Sequence, residues 1–450
     1  MRLLFPTVLL AVCGTASAAE FPARPNIVFI MADDFGYADL GCYGQQVIRT
    51  PRLDRMAAEG IRFTQAYAGT SVCAPTRCVL MTGLHTGHAP IRANREIQPE
   101  GQMPLPEGYL TVPQLLKEAG YATACVGKWG LGMFGSTGDP LVRDFDHFYG
   151  YNCQRHAHNY YTDYLWDDDE RISLDGKTWS HDLLTAEALA WVREQRDGPF
   201  FLYLPYTIPH GKYQVPDASQ YKDATFEGKR LSKDQQAAAA MVTRMDADVG
   251  RLLDLLAELE IEKNTIVFFT SDHGAARDFF NSSGPLRGIK RGMYEGGLRV
   301  PMIVRWPGVV PAGKVSDEIW TFWDVLPTFA ELAGATVPGE AKIDGHSVVA
   351  ALLGGEAPDH DYLYWELHER KFSQAARQGA WKVVRPGPDA ELELYDLASD
   401  PGESRNVADA HPDVVARMEQ VLQSARTASP LWPTDLGVKD EGKRKAARSR

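Results

Sequence analysis

Asn26–Met31 reads NIVFIM, and Ala32-Asp33-Asp34 follows it directly. From Ile27 to Ala32 six apolar residues stand in a row, three of them β-branched, and do not alternate as a strand with one wet face must. They read as a strand buried on both faces, which is how parallel strands are covered in α/β proteins. The same texture returns in Phe200–Pro205 (FFLYLP), Thr265–Thr270 (TIVFFT) and the shorter Met302–Arg305, and Tyr121–Val126 reads as a further strand. Helical spacing lies between them. Pro51–Glu59 opens with the proline a first turn tolerates. Thr111–Ala119 is a second helix. Lys233–Leu259 carries Met241, Met245, Val249 and Leu252 on one stripe. Strands alternating with helices predict an α/β fold with a large, mostly parallel sheet sandwiched by helices. In such sheets chemistry collects at the carboxyl ends of the strands. Asp33-Asp34 and Asp272-His273 both stand there.

Beyond about Gly345 the texture changes. Tyr362–Glu366, Trp381–Val384 and Glu391–Tyr395 are short strands separated by turns, and Val414–Thr427 is a closing helix. The expected organisation is a catalytic domain over 24–345 and a small α+β domain with an antiparallel sheet over 346–435. A basic tail, 436–450, lacks apolar anchors and is expected to be disordered. The 450 residues are 44% hydrophobic and 24% charged, which excludes a disordered chain, a collagen or a coiled coil. With 47 Lys+Arg against 59 Asp+Glu the formal charge is -12. No internal Lys/Arg-rich run offers the basic face that a phosphate backbone needs, so nucleic acid is not an expected partner.

Met1–Ala18 (MRLLFPTVLLAVCGTASA) has a basic start, a short apolar core and a small-x-small end at Ala16-Ser17-Ala18. It reads as a secretory signal peptide, giving a periplasmic or secreted protein. Lipoprotein anchoring at Cys13 is disfavoured by the bulk of Val12. No later stretch approaches the roughly 18 apolar residues of a membrane span. Cleavage leaves Cys42, Cys73, Cys78, Cys125 and Cys153. An odd number of cysteines in an exported chain calls for an explanation.

Cys73 supplies one. Ser71-Val-Cys-Ala-Pro-Thr-Arg77, continuing Cys78-Val-Leu-Met-Thr-Gly83, contains Cys-x-Pro-x-Arg with a small second x and a Thr-Gly soon after. This stretch resembles the signature of the formylglycine-dependent sulfatases. The resemblance runs from about Arg24 to about Ala408. It includes Gly127-Lys-Trp, Thr270-Ser-Asp-His-Gly274, Tyr294-Glu-Gly-Gly, Arg299-Val-Pro301 and Glu393-Leu-Tyr-Asp396. It implies the fold of the alkaline phosphatase superfamily, and the arylsulfatase A and N-acetylgalactosamine-6-sulfatase branch is the nearest in character.

The resemblance implies that a formylglycine-generating enzyme converts Cys73 to an aldehyde, which hydrates to a diol. One hydroxyl attacks sulfur, giving a sulfo-enzyme intermediate, and the other later expels sulfate by restoring the aldehyde. Conversion would leave four cysteines. Asp33, Asp34, Asp272, His273 and the residue-73 side chain are the implied ligands of one divalent cation. Three carboxylates favour Ca²⁺, although His273 stands where the family usually has Asn. Arg77 and Lys128 are the implied sulfate clamps. Lys290, five residues before Glu295, is the implied sulfate-binding lysine, with Arg291 beside it as runner-up. His210, after the FFLYLP strand, is the implied acid for the leaving alcohol.

One position departs from the family pattern. Gly130 stands where Gly-Lys-Trp-His is common, so either another histidine (His85, His88, His156 or His158) serves in place of the missing ring, or the diol expels sulfate without that base. Tyr149–Trp166 is aromatic and polar and reads equally as an insertion that stacks on a sugar or as a surface loop packed by its own aromatics; Arg92-Ala-Asn-Arg95, which follows the signature helix, is a further stretch expected to reach substrate. The expected substrate is a sulfated saccharide, a galactose or N-acetylgalactosamine sulfate. Two rival readings stay open: a phosphate or phosphonate monoester hydrolase of the same superfamily, and a non-enzymatic sulfated-glycan binder with Cys73 unconverted.

Overall fold

A computed structural model describes residues 22–98 and 100–434. The signal-peptide reading of Met1–Ala18 and the tail at 436–450 lie outside the described residues. The strands in chain order are β1 (Asn26–Ala32), β2 (Ile61–Tyr67), β3 (Ala122–Lys128), β4 (His147–Tyr151), β5 (Tyr164–Asp167), β6 (Glu170–Ser173), β7 (Phe200–Pro205), the short pair β8 (Thr225–Phe226) and β9 (Lys229–Arg230), β10 (Thr265–Ser271), β11 (Arg299–Arg305), β12 (Lys314–Thr321), β13 (Leu363–Leu367), β14 (Ser373–Gln378), β15 (Trp381–Arg385) and β16 (Glu393–Asp396). The helices are α1 (Pro51–Ala58), α2 (Cys73–Thr82), α3 (Val112–Glu118), α4 (Ser180–Glu194), α5 (Lys233–Glu258), α6 (Glu295–Leu298), α7 (Val325–Ala333), α8 (Val349–Leu352) and α9 (Pro412–Ser424).

The large sheet has ten strands in the order β12-β2-β11-β10-β1-β7-β3-β4-β5-β6. Its centre, β10-β1-β7-β3-β4, is parallel throughout. The buried strand expected at Met302–Arg305 forms as β11 but runs antiparallel to both β10 and β2. The link from β10 to β11, residues 272–298, contains only the single helical turn α6. Side chains alternate along the buried strands. Ile27, Phe29 and Met31 face one core with α2, α3 and α7. Val28, Ile30 and Ala32 face the other with α1, α4 and α5. Both faces are therefore covered, as the unbroken apolar runs require. Helix α5 begins with a capping box between Ser232 and Gln235.

The second sheet, β13-β14-β15-β16, is antiparallel throughout and packs against α9 through Tyr364, Val383, Leu394, Met418 and Leu422. A buried charge cluster joins it to the loop after α2. Glu366 of β13 accepts from Arg92 (2.7 Å), Arg426 (2.8 Å), Tyr364 (2.7 Å) and His368 (3.0 Å). Arg92 is buried here and does not reach toward substrate, contrary to the sequence expectation. A guanidinium two residues after a loop proline is shielded once the second sheet covers it. The five cysteines among the described residues are all free thiols.

Burial alone would raise the Glu366 carboxyl, but His368, Arg426 and Arg92 outweigh it and hold it at about 2, from an ordinary 4.5. Its stabilisation, about 3 kcal/mol, is therefore present above about pH 4.5 and disappears as pH falls toward 2. Glu366→Ala also strands Arg92 in the interior. We expect urea unfolding at pH 7 to show a loss of about 3–5 kcal/mol for Glu366→Ala. The gap to wild type should narrow at pH 3; a gap as wide at pH 3 as at pH 7 would contradict the charge assignment.

Candidate active site

Strands β1 and β10 are parallel and in register, with Ala32 opposite Ser271. The residues that leave them, Asp33-Asp34 and Asp272-His273, thus emerge side by side. Asp34 has a left-handed backbone, φ 64°. Breaking the strand's alternation there lets two consecutive carboxylates serve one cluster. The Asp34 N–H donates to Asp272 Oδ1 at 3.2 Å, tying the two strand ends together.

Helix α2 delivers the third element. Cys73 is its first residue and Arg77 lies one turn in; all ten residues are buried. Cys73 Sγ lies 3.7 Å from Asp33 Oδ1, 3.4 Å from His273 Nε2 and 3.7 Å from Lys290 Nζ. A helix N-terminus favours negative charge on an atom held there. As a thiol Cys73 is not ionised: burial, then the charge of Asp33, pushes it up to about 12. Asn94 fixes this end of the helix, accepting the Ala74 N–H at 2.9 Å. Sequence reading gave the Arg92–Arg95 stretch a substrate role; here Asn94 braces residue 73 from behind.

Three buried cations face the three carboxylates. Lys128 Nζ donates to Asp33 Oδ2 at 2.5 Å. Arg77 Nη2 lies 3.3 Å from both Asp33 Oδ2 and Asp272 Oδ2, and Nη1 donates to the Lys128 carbonyl at 2.5 Å. Lys290 pairs with Asp34. Its loop is pinned at both sides, the Lys290 N–H to the Ala275 carbonyl (3.0 Å) and the Arg291 N–H to the Ser71 carbonyl (2.9 Å). The Arg291 side chain turns away to Glu369 at 2.7 Å, so Lys290 rather than its neighbour faces Cys73. Burial would raise the Asp33 carboxyl, yet Lys128, His210, Arg77 and Lys290 hold it well below the usual range. The balance for Asp34 is alike, with Lys290 and His210 overcoming burial.

His210 Nε2 lies 3.2 Å from Asp34 Oδ2, and its Nδ1–H donates to the Gly211 carbonyl at 2.5 Å. Burial lowers the affinity of this ring for its second proton, and the Asp34 and Asp33 charges offset only part of that. Tyr160 donates to the Thr207 (2.8 Å) and His210 (2.6 Å) carbonyls, so the Tyr149–Trp166 stretch buttresses the His210 turn. That stretch is not a free substrate loop. It contains the end of β4 and most of β5. Tyr151 and Tyr160 are buried, and Tyr164 stacks on His156 at 3.9 Å. Its aromatics mostly pack on one another.

Comparisons with known proteins identify the family. The model of the Sulfatase family matches residues 25–335, and that of the N-sulphoglucosamine sulphohydrolase C-terminal region matches 289–428. The chain belongs to the sulfatase family. It is a sulfuric ester hydrolase with the fold of the alkaline phosphatase superfamily. It is 35% identical over 477 residues to N-acetylgalactosamine-6-sulfatase of Canis lupus familiaris, covering 92% of this chain and 88% of that one. It is 30% identical over 551 residues to human arylsulfatase D, covering 95% and 91%. The crystal structure of Ps i-CgsB in complex with k-i-k-neocarrahexaose superimposes with a TM-score of 0.81 at 29% identity, covering 95% of this chain and 98% of the other. No helix among the described residues is long and apolar enough to cross a membrane.

The donor set of this sulfatase fits a divalent cation. One atom each from Asp33, Cys73, Asp272 and His273 lies within 4.8 Å of the others. Asp34 Oδ1 is 3.6 Å from His273 Nε2. The His273 Nδ1–H donates to the Gly274 carbonyl at 2.9 Å, which leaves the lone pair of a neutral ring on Nε2, the atom facing the carboxylates. That is the tautomer a ligating histidine needs. Three carboxylates are already matched by Arg77, Lys128 and Lys290, so a dication makes the site net positive, as an anionic ester requires. Ca²⁺ added to chelator-stripped protein should raise the melting temperature, by the equivalent of about 2.7 kcal/mol at a hundredfold excess over Kd. Asp272→Asn should lose most of that shift. An unchanged shift in this variant would place the ion elsewhere.

Proposed function

We propose that this protein is an exported sulfatase that removes sulfate from a sulfated carbohydrate, a galactose or N-acetylgalactosamine sulfate. It uses formylglycine made from Cys73 by a formylglycine-generating enzyme, and one divalent cation, Ca²⁺, held by Asp33, Asp34, Asp272, His273 and residue 73. The observation that carries the reading is the position of Cys73 at a buried helix N-terminus, within 4 Å of Asp33, His273 and Lys290. The sugar is supported by likeness to N-acetylgalactosamine-6-sulfatases at 31–35% identity.

The hydrated aldehyde supplies the nucleophilic oxygen and, by reverting to the carbonyl, an exit for sulfate. The chain's own residues do the rest. Arg77 and Lys128, buried and rigid, hold charge against the sulfuryl oxygens as negative charge grows in the transition state. Lys290 binds sulfate on the side of the departing oxygen. His210, with Nδ1–H committed to the Gly211 carbonyl, carries its transferable proton on Nε2 when cationic. That proton passes to the sugar oxygen as the S–O bond breaks.

Intact mass is the direct check on maturation. Protein coexpressed with the converting enzyme should weigh about 18 Da less than its thiol form, and an unconverted, inactive preparation would favour the glycan-binder reading. For His210→Ala we expect turnover of sugar sulfates to fall ~10²–10⁴-fold while nitrophenyl sulfates, whose phenolate leaves without a proton, lose little. Equal losses on both substrates would reduce His210 to a binding role.

A further inference from the structure

Gly130 is more than a deleted side chain. Its φ is +79°, and a Cβ built there would meet Gln154 Nε2 at 3.1 Å. The backbone conformation and the Gln154 side chain therefore both weigh against a larger residue at 130. The segment that fills the space, Asn152–His158, carries two of the four histidines left open by the sequence.

Three of the four are committed elsewhere. His88 Nδ1 lies 2.8 Å from Asp344 Oδ1. His85 accepts the Gly87 N–H on Nδ1 at 3.1 Å and packs on Trp323. An imidazole that accepts on Nδ1 keeps its proton on Nε2, the atom facing Asp344. That tautomer also speaks against a metal held by His85, His88 and Asp344. His156 Nε2 lies 2.6 Å from Thr162 Oγ1, and its ring stacks on Tyr164.

His158 differs from all three. Its ring lies flat on that of His210, with centroids 3.9 Å apart and planes 10° from parallel. Its Nε2 is buried and has no hydrogen-bond partner. Burial pushes the imidazole down to about 3, and the charged groups acting on it most are Lys128, His210, Asp33 and Lys290. All four belong to the active site. The ring is thus neutral at ordinary pH. A buried polar nitrogen without a partner costs about 1–3 kcal/mol. Two of the charged groups that act on it, Asp33 and Lys290, also touch the Cys73 sulfur.

We infer that His158 is a substrate-contacting residue of this site, donating its Nε2–H to an oxygen of the bound sulfate group. The inference rests on the sulfatase reading for its ligand, and extends it by placing a residue of the Tyr149–Trp166 stretch in the sulfate pocket. A sulfate oxygen only accepts, so the neutral ring holds its proton on Nε2 when the ester is bound.

The test reads binding and turnover separately. Inorganic sulfate is titrated by calorimetry into the full-length, matured, Ca²⁺-loaded protein, and KM and kcat are measured on nitrophenyl sulfate. His158→Phe keeps a flat ring on His210 but has no donor; His158→Ala removes both, and His158→Gln restores an N–H. We expect Phe and Ala to weaken sulfate binding and raise KM by ~10–100-fold, the worth of one hydrogen bond to a charged group. Gln should recover much of the loss. Sulfate affinity at the wild-type level in His158→Phe would overturn the inference and leave the ring a mere stacking support. Wild-type protein that binds sulfate through His158 but hydrolyses no sulfate ester would instead refute the function proposed above.

Discussion

Three carboxylates buried within a few ångströms of one another are the constraint on which this molecule turns. Left alone they would repel, and burial would protonate them. Instead the register of β1 with β10 brings Asp33, Asp34 and Asp272 together, and Arg77, Lys128 and Lys290 arrive from α2, β3 and the loop before α6 to neutralise them. Each cation comes from a different part of the chain. The cluster is therefore complete only when the whole sheet and its covering helices are assembled. Arg77 carries the most structural duty, bridging two carboxylates and the Lys128 carbonyl from a fully buried position. Such a balanced cluster has no charge to spare for an anionic substrate until a cation joins it.

Much of this was legible in the sequence, for identifiable reasons. The runs NIVFIM, FFLYLP and TIVFFT could only be strands covered on both faces, and that alone put Asp33, Asp34, Asp272 and His273 at strand ends. The Cys73 motif named residues 73 and 77. What stayed hidden depends on contacts between distant segments. Strands β2 and β12 alternate apolar and polar residues weakly and pair only with each other and β11 at one edge of the sheet. The direction of β11 is not written in its own residues, which read as a buried strand in either direction. Arg92 looked like a substrate residue because nothing local reveals that Glu366, far along the chain, covers it. Asn94 has no local signature, since it acts through a backbone N–H at position 74, and only the packing of His158 on the distant His210 ring separates it from the other candidate histidines.

The second sheet is more than an appendage to the catalytic one. Lys382 of β15 sits 2.8 Å from both Glu295 Oε1 and Glu403 Oε1, and Glu403 Oε2 accepts the Glu295 N–H at 2.6 Å. Glu295 opens α6, immediately after the loop that presents Lys290. Burial favours protonation of both acids; Lys382, Arg299 and Arg377 hold Glu295 down at about 2, while Glu403 is pushed up to about 7 by burial and by the charge of Glu295. The result is a buried pair of acids sharing one lysine, which fixes the start of α6 and hence the reach of Lys290. Arg291, pairing with Glu369, adds a second tie across the same boundary.

In the proposed mechanism residue 73 takes up sulfate covalently and releases it through a second hydroxyl on the same carbon. A serine at this position has the first hydroxyl and lacks the second. Mixing Cys73→Ser protein, Ca²⁺-loaded, with nitrophenyl sulfate and following released nitrophenol beside intact mass tests this most directly. The account predicts at most one equivalent of nitrophenol, no sustained turnover, and a gain of about 80 Da on the peptide containing residue 73. Steady turnover without an adduct would contradict it, because water would then be attacking the ester with no covalent help from residue 73.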